Sequence, residues 1–306
     1  MQRKLVKQGD NALTVTLPAA WTKANKLTAG DEVEIENDNN QLVINSKTEK
    51  KVKSITFTIH SNDDSRLYRS LLGAYYRAGF DEIKIQYDSP KVIPELQKAV
   101  DFLYGFEIFE QKENICIIKK MYESESTELQ LIVTKMIQTI KTMQNIISHD
   151  IAEDIKEEKH VEKKYASQEE LLQFRNNALK YRDIIIRTIV YHKLLDEKNF
   201  PYNHIAYSLW QITRAYYNLY SSLLKQKTTE KEQAFFSKVN LYFTMTMQSM
   251  DGNNSDNHKE NHKKYRALIA KAEEMIKHSK NPVFLSYCIV IIMNVQSCNS
   301  LLLLHD

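Results

Sequence analysis

The densest set of residues able to do chemistry stands at the start of the chain. Residues 1–30 carry Arg3, Lys4, Lys7, Lys23 and Lys26 against a single acid, Asp10. Residues 31–38 then reverse the sign with Asp31, Glu32, Glu34, Glu36 and Asp38. A basic face of this kind contacts phosphates, which gives nucleic-acid affinity that is independent of base sequence and steeply dependent on salt. The local polarity matters because the whole chain carries a net charge of only +3, too little for a strong field.

Other sets are read more plainly. Glu153 with Glu157, and Asp154 with Glu158, have the spacing of shared ligands on a helix, but Lys156, Lys159, Lys163 and Lys164 interleave with them. They are read as a salt-bridged, solvated helix face. His258 and His262 are four apart, yet Glu260 is in the wrong place for an HExxH zinc motif, so they are read as a surface pair. Tyr207, Trp210, Tyr216, Tyr217 and Tyr220 recur at helical spacing and are read as core. Cys116, Cys288 and Cys298 are odd in number and form no CxxC, as expected of a reducing cytoplasm. The chain has no Gly-rich phosphate loop and no GxSxG, so neither an enzyme nor a cofactor nor a metal is expected.

The elements that position the basic set follow from periodicity. Leu5 to Lys7, Leu13 with Val15 and Leu17, Val33 with Ile35, and Leu42 with Ile44 alternate in period two, which predicts four short strands. Gly9-Asp10-Asn11 and Asn37-Asp38-Asn39-Asn40 supply turns, and Pro18 opens a short helix through Ala24 that ends by Gly30. The polar run Lys47-Thr48-Glu49-Lys50-Lys51 marks a boundary.

Beyond it the pattern reads strand (Ser54 to His60), helix (Asp64 to Ala78), strand (Glu82 to Tyr87), helix (Ile93 to Tyr104) and two strands (Phe106 to Glu110, Ile115 to Ile118). Gly79 and Gly105 are suited to the ends of the two helices. After Tyr122 strand signals stop, and helical periodicity covers 125–162, 168–197, 203–227, 231–250, 259–279 and 282–304, which predicts two three-helix bundles. From Pro282 to Leu304 no residue is charged, a length able to span a bilayer. Asn294, Gln296, Ser297, Asn299 and Ser300 interrupt it, so it is read as a buried bundle helix, with no membrane insertion expected. The expected fold is multidomain α+β, with boundaries at 1–47, 51–121 and 123–306.

Three runs, Arg3-Lys4-Leu5-Val6-Lys7-Gln8-Gly9, Leu13-Thr14-Val15-Thr16-Leu17-Pro18, and Leu27-Thr28-Ala29-Gly30-Asp31-Glu32-Val33-Glu34-Ile35 after Trp21, strongly resemble the SpoVT/AbrB swapped-hairpin domain. The resemblance covers nearly all of residues 2–46 and implies a β-barrel made by two interleaved chains, hence a homodimer. It implies that Arg3, Lys4, Lys7, Gln8 and Asn11 face double-stranded DNA, with Lys23 as an outlying phosphate contact. A four-strand unit of this size is marginal alone, in keeping with an obligate dimer.

Gly73-Ala74-Tyr75-Tyr76-Arg77-Ala78-Gly79-Phe80-Asp81-Glu82-Ile83, with Gly105-Phe106-Glu107-Ile108 and Trp210-Gln211-Ile212, resembles archaeal phosphate-uptake regulators of the PhoU type, which join the swapped-hairpin domain to a PhoU-like helical part. That family holds metals with paired acids four apart after a Trp-Gln-Leu run. Here Thr213-Arg214-Ala215-Tyr216-Tyr217 makes both acidic positions neutral. The resemblance implies a cytoplasmic transcriptional regulator linked to phosphate. The rival reading is an interaction protein whose helical domain docks on a transporter or sensor kinase while the first domain only dimerises.

Overall fold

The computed structural model describes residues 2–9, 12–38, 41–46, 52–125, 128–154, 161–194, 199–249 and 255–301. The chain divides into two compact units, Met1–Val52 and Lys53–Asp306.

In the first unit, β1 (Val6–Gln8) pairs antiparallel with β2 (Ala12–Thr14), and β3 (Val33–Asp38) with β4 (Gln41–Ser46); α1 (Ala19–Ala24) lies between the hairpins. Val15 and Leu17, expected in the second strand, lie outside β2. Pro18 precedes α1, where its missing N–H costs nothing, and the helix ends at Asn25, whose side chain donates to Trp21 O at 2.8 Å. Asn25 Oδ1 in turn accepts from Ser46 Oγ at 3.0 Å, tying α1 to β4. The Leu27-Thr28-Ala29-Gly30-Asp31 segment is a built turn. Gly30 takes φ +98°, a backbone state that side chains resist, and the Asp31 carboxylate accepts from Thr28 N at 2.6 Å and Thr28 Oγ1 at 2.9 Å. Those bonds hold the Asp31 carboxyl below the usual carboxylate range.

The second unit opens with a four-stranded sheet in the order β5-β6-β8-β7, built from β5 (Ser54–Ile59), β6 (Glu82–Tyr87), β7 (Phe106–Lys112) and β8 (Ile115–Lys120). β5 and β6 are parallel and are linked through α2 (Ser65–Arg77); the other pairings are antiparallel. Asp64 caps α2 by accepting from Arg66 N, and Gly79 and Gly105, both at φ +75°, let the chain leave its helices sharply. The second helix, α3 (Ile93–Val100), is shorter than expected because residues 101–104 leave the helix as turns before Gly105. Tyr68, Leu72 and Tyr76 of α2, Leu96 and Val100 of α3, and Ile83, Ile85 and Ile118 of the sheet form one core.

Six helices follow: α4 (Leu129–Asp154), α5 (Val161–Tyr191), α6 (Phe200–Leu223), α7 (Glu230–Gln248), α8 (Ser255–Ile276) and α9 (Pro282–Leu301). The expected helix 125–162 is divided: α4 ends at Asp154, and Val161 already belongs to α5. The triplets α4-α5-α6 and α7-α8-α9 both exist, but they are not independent bundles. α6 and α9 make the most extensive helix contact, and a single apolar core runs from Leu129 to Cys298. The sheet module belongs to the same unit, with α2 between the sheet and α5.

By length and composition α9 could cross a membrane. Here Phe284, Leu285, Ile291, Ile292 and Val295 are fully buried in the shared core. All three thiols are buried and free. Burial pushes Cys116 up to about 11, Cys298 up to about 12 and Cys288 higher still, so almost no thiolate exists near pH 8. Native protein at that pH is therefore expected to leave a chromogenic disulfide reagent unreacted until denaturant is added, when three equivalents react; fast labelling of the native chain would contradict this burial.

Candidate nucleic-acid interface

Lys7 and Gln8 lie on β1, opposite Leu13 and Ala12 respectively, and Arg3 and Lys4 lead into that strand. Lys23 lies in the last turn of α1. All five side chains are exposed. Asn11 falls outside the described residues. Alternation along a strand sends Lys7 to the face opposite Val6 and Gln8, and the first hairpin brings Arg3, Lys4, Lys7 and Gln8 within one short stretch of chain. No acidic partner is paired with these cations among the described residues, which leaves them available to phosphates.

The apolar residues of this unit carry equal weight. No residue of 2–46 whose side chain is described is buried. Leu5, Val6, Leu13, Val15, Ile35, Leu42 and Val43 are all exposed, Leu42 at 67%. Two separate two-stranded hairpins without a core do not hold a fold in water. This many exposed apolar side chains in one small unit are the mark of an interaction surface.

In the helical body, the sets read from sequence resolve differently. Glu153 lies beside His149, whose Nε2 is 3.4 Å from Glu153 Oε1 and whose Nδ1 is 3.4 Å from Asp150 Oδ1. Asp150 also accepts from Tyr220 Oη at 2.6 Å. His149, Asp150 and Glu153 thus converge closely enough to hold an ion, but the histidine and the tyrosine already account for the carboxylates. Glu157 and Glu158 lie outside the described residues, as does the side chain of Asp154. Thr213, where the helical resemblance led one to expect an acid, is fully buried and donates to Leu209 O at 2.8 Å. Its neighbour Tyr216 accepts from Gln144 at 2.8 Å and donates to Asn240 at 2.9 Å, so a neutral hydrogen-bonded network joins α4, α6 and α7.

Two readings are corrected. His258 is not a surface residue: it is 4% exposed, with Nδ1 3.0 Å from Asn299 Oδ1, because the first turn of α8 packs on the end of α9; only His262 is exposed. The aromatic set is not all core. Tyr216 and Tyr220 are buried, but Tyr207 is exposed, and Trp210 and Tyr217 are partly exposed and face arginines.

Sequence reasoning missed a junction between the sheet module and α5. Arg187 is 1% exposed; its Nη2 is 2.6 Å from Glu123, and Nη1 donates to Tyr76 O at 2.9 Å and Phe80 O at 2.8 Å. Lys120 pairs with Asp81 at 2.6 Å beside it. The available signal was an arginine within the apolar run Ile184-Ile185-Ile186-Arg187, which an amphipathic surface position does not explain.

A family model described as antidote-toxin recognition MazE, bacterial antitoxin, matches residues 6–56. No curated protein and no solved structure matches the chain. The matched segment is the N-terminal strand unit with the start of β5, and the similarity supports an AbrB-like domain at this end of the chain, followed by a helical body.

Proposed function

We propose that the protein is a DNA-binding transcriptional regulator that acts as a homodimer through its N-terminal unit and receives its signal through the helical body. The observation that carries this reading is the coincidence, on the segment similar to MazE-type domains, of an exposed basic leading strand with a unit whose described side chains form no buried core. A second copy covers the apolar residues by exchanging hairpins, and this sets two copies of Arg3, Lys4, Lys7 and Gln8 side by side for the two strands of a duplex. The helical body is PhoU-like on the sequence resemblance, and the process regulated is phosphate uptake or metabolism. The protein works in the cytoplasm, is not an enzyme, and carries no metal at the family's usual acidic positions.

The direct test is fluorescence anisotropy of full-length protein on labelled duplex DNA between about 50 and 300 mM salt, where phosphate contacts give a log-linear loss of affinity. Failure to bind any duplex, the chain's own promoter included, would leave the unit as a dimerisation device and favour docking on a protein partner. The dimer has its own test. Sedimentation should give twice the 35.9 kDa chain mass. Placing carboxylates in the exposed apolar surface, Leu13→Asp with Ile35→Asp, should give monomers that bind DNA at least about tenfold more weakly, since one half of the interface is lost. A wild-type protein monomeric at micromolar concentration would overturn the dimer.

A further inference from the structure

The seam between α2 and α5 gathers more positive charge than its acids neutralise. On α2, Arg69, Gly73 and Arg77 recur at intervals of four and so share one face; on α5, Arg175 and Arg182 are seven apart and share another. Asp183 is the one carboxylate paired there among the described residues. It takes Arg77 at 3.1 Å and Arg182 at 2.5 Å, and so is already occupied. Gly73 admits this pair, because an added Cβ would stand 3.0 Å from Arg77 Nη1 and 3.7 Å from Asp183 Oδ2. Arg69 and Arg175 are paired with no carboxylate among the described residues.

The geometry of these two arginines is fixed by aromatic rings and not by acids. The Arg69 guanidinium stacks on Phe102 at 3.3 Å from the ring centre, and Arg175 lies over Tyr217 at 5.1 Å. Arg182 lies over Trp210 at 4.2 Å. Stacking sets the plane of a guanidinium and leaves its in-plane N–H groups to hydrogen-bond elsewhere. Arg69 Nη2 is buried and has no acceptor among the described residues. A buried charged donor left without an acceptor is costly, and native structures rarely tolerate one unless something fills the place. Burial first, and the like charge of Arg175 after it, push the Arg69 guanidinium below the ordinary arginine value.

We propose that this seam binds a small phosphorylated anion, inorganic phosphate or a phosphomonoester, with Arg69 and Arg175 as its donors and Arg182 completing the positive surround. A phosphoryl group offers several anionic oxygens to several forks at once, whereas a monovalent halide or a single carboxylate satisfies fewer donors. A DNA backbone suits the site less well, because Arg69 Nη2 is buried and Arg182 is only 8% exposed, out of reach of a duplex. The anion would tie the sheet module to α5, and so to the helical core, at a second place beside Arg187. The inference concerns the Lys53–Asp306 unit and does not rest on DNA binding by the first unit.

The chain supplies a reporter. Of its two tryptophans, Trp21 belongs to the first unit and Trp210 faces Arg182, so Trp21→Phe leaves Trp210 as the only tryptophan, excited apart from the tyrosines at the red edge of its absorption. Full-length Trp21→Phe protein is titrated with inorganic phosphate, with adenosine monophosphate, and with sodium chloride at matched ionic strength. Saturable change in Trp210 emission with one of the two phosphates, at a Kd in or below about the millimolar range, is expected, and chloride should not reproduce it. Saturation by phosphate identifies the free anion; saturation by the nucleotide alone identifies a phosphomonoester. Arg69→Met and, as a second variant on the other helix, Arg175→Gln should each raise Kd by about tenfold or more, with circular dichroism unchanged in at least one of them. Absence of saturation with both phosphates would overturn the proposal, as would an unchanged Kd in a folded variant. Loss of duplex binding by folded Arg69→Met would overturn it too, and would make the cluster a nucleic-acid contact.

Discussion

Replacing Arg187 with methionine is expected to lower the unfolding free energy of the Lys53–Asp306 unit by about 3–5 kcal/mol, the usual cost of removing one partner from a buried ion pair. The guanidinium uses its whole fork. Nε is 3.0 Å from each Glu123 oxygen, Nη2 is 2.6 Å from Oε2, and Nη1 serves two backbone carbonyls that close α2, those of Tyr76 and Phe80. Methionine keeps the length and the contact with the Tyr76 and Phe106 rings but supplies none of these donors. Glu123, 15% exposed at its side chain, then keeps only Lys120, at 3.7 Å, among the described residues. Lysine at 187 should recover part of the loss, since it restores the charge and not the fork. Urea unfolding followed by circular dichroism measures the effect, and adding Glu123→Leu to Arg187→Met should return some of the stability by removing the stranded carboxylate. A loss below about 1 kcal/mol, the scale of a solvated surface pair, would contradict the clamp.

The position of that clamp explains what the sequence could and could not reveal. Gly30 and Asp31 are legible because their roles are local: the positive φ and the hydrogen bonds to Thr28 lie within a four-residue turn. Gly79 and Gly105 are legible for the same reason, as residues that end α2 and follow the turns after α3. Strand alternation and helical periodicity likewise report each element's own buried face, which is why the order of strands and helices is readable along most of the chain. Arg77 and Asp183 are separated by 106 positions and Arg187 and Tyr76 by 111, and no spacing encodes such a meeting. Two independent bundles were expected for a related reason. Periodicity shows that α6 and α9 are apolar, but not that they pack on each other and join the two triplets into one core. The aromatic residues of α6 show the limit within a single helix: Tyr216 and Tyr220 turn inward, while Trp210 and Tyr217 turn toward the arginines of α5.

The second large effect belongs to the first strand. Arg3→Ala, Lys4→Ala and Lys7→Ala together should abolish most of the DNA affinity of the full-length protein while leaving its dimeric mass and its thermal unfolding nearly unchanged. The three side chains are exposed, and none is paired with an acid among the described residues, so their removal breaks no internal interaction. Surface changes of that kind cost folding little. In the proposed dimer their effect on binding is multiplied, because each of them is presented twice. With a slope of about −0.9 per phosphate contact, the loss of as many as six contacts flattens the plot of log affinity against log salt by up to about five units. At roughly 100 mM salt the affinity should fall by about two orders of magnitude or more. Slope and affinity must change together, because both count the same displaced counterions. A variant that loses affinity at unchanged slope would mean that these residues read base edges instead of the backbone. A variant that keeps both would mean that the strand leading into the first hairpin does not face DNA at all. Lys23→Ala, on α1 and apart from that strand, provides the internal scale: one outlying contact per protomer predicts a slope change of about two units and a correspondingly smaller loss.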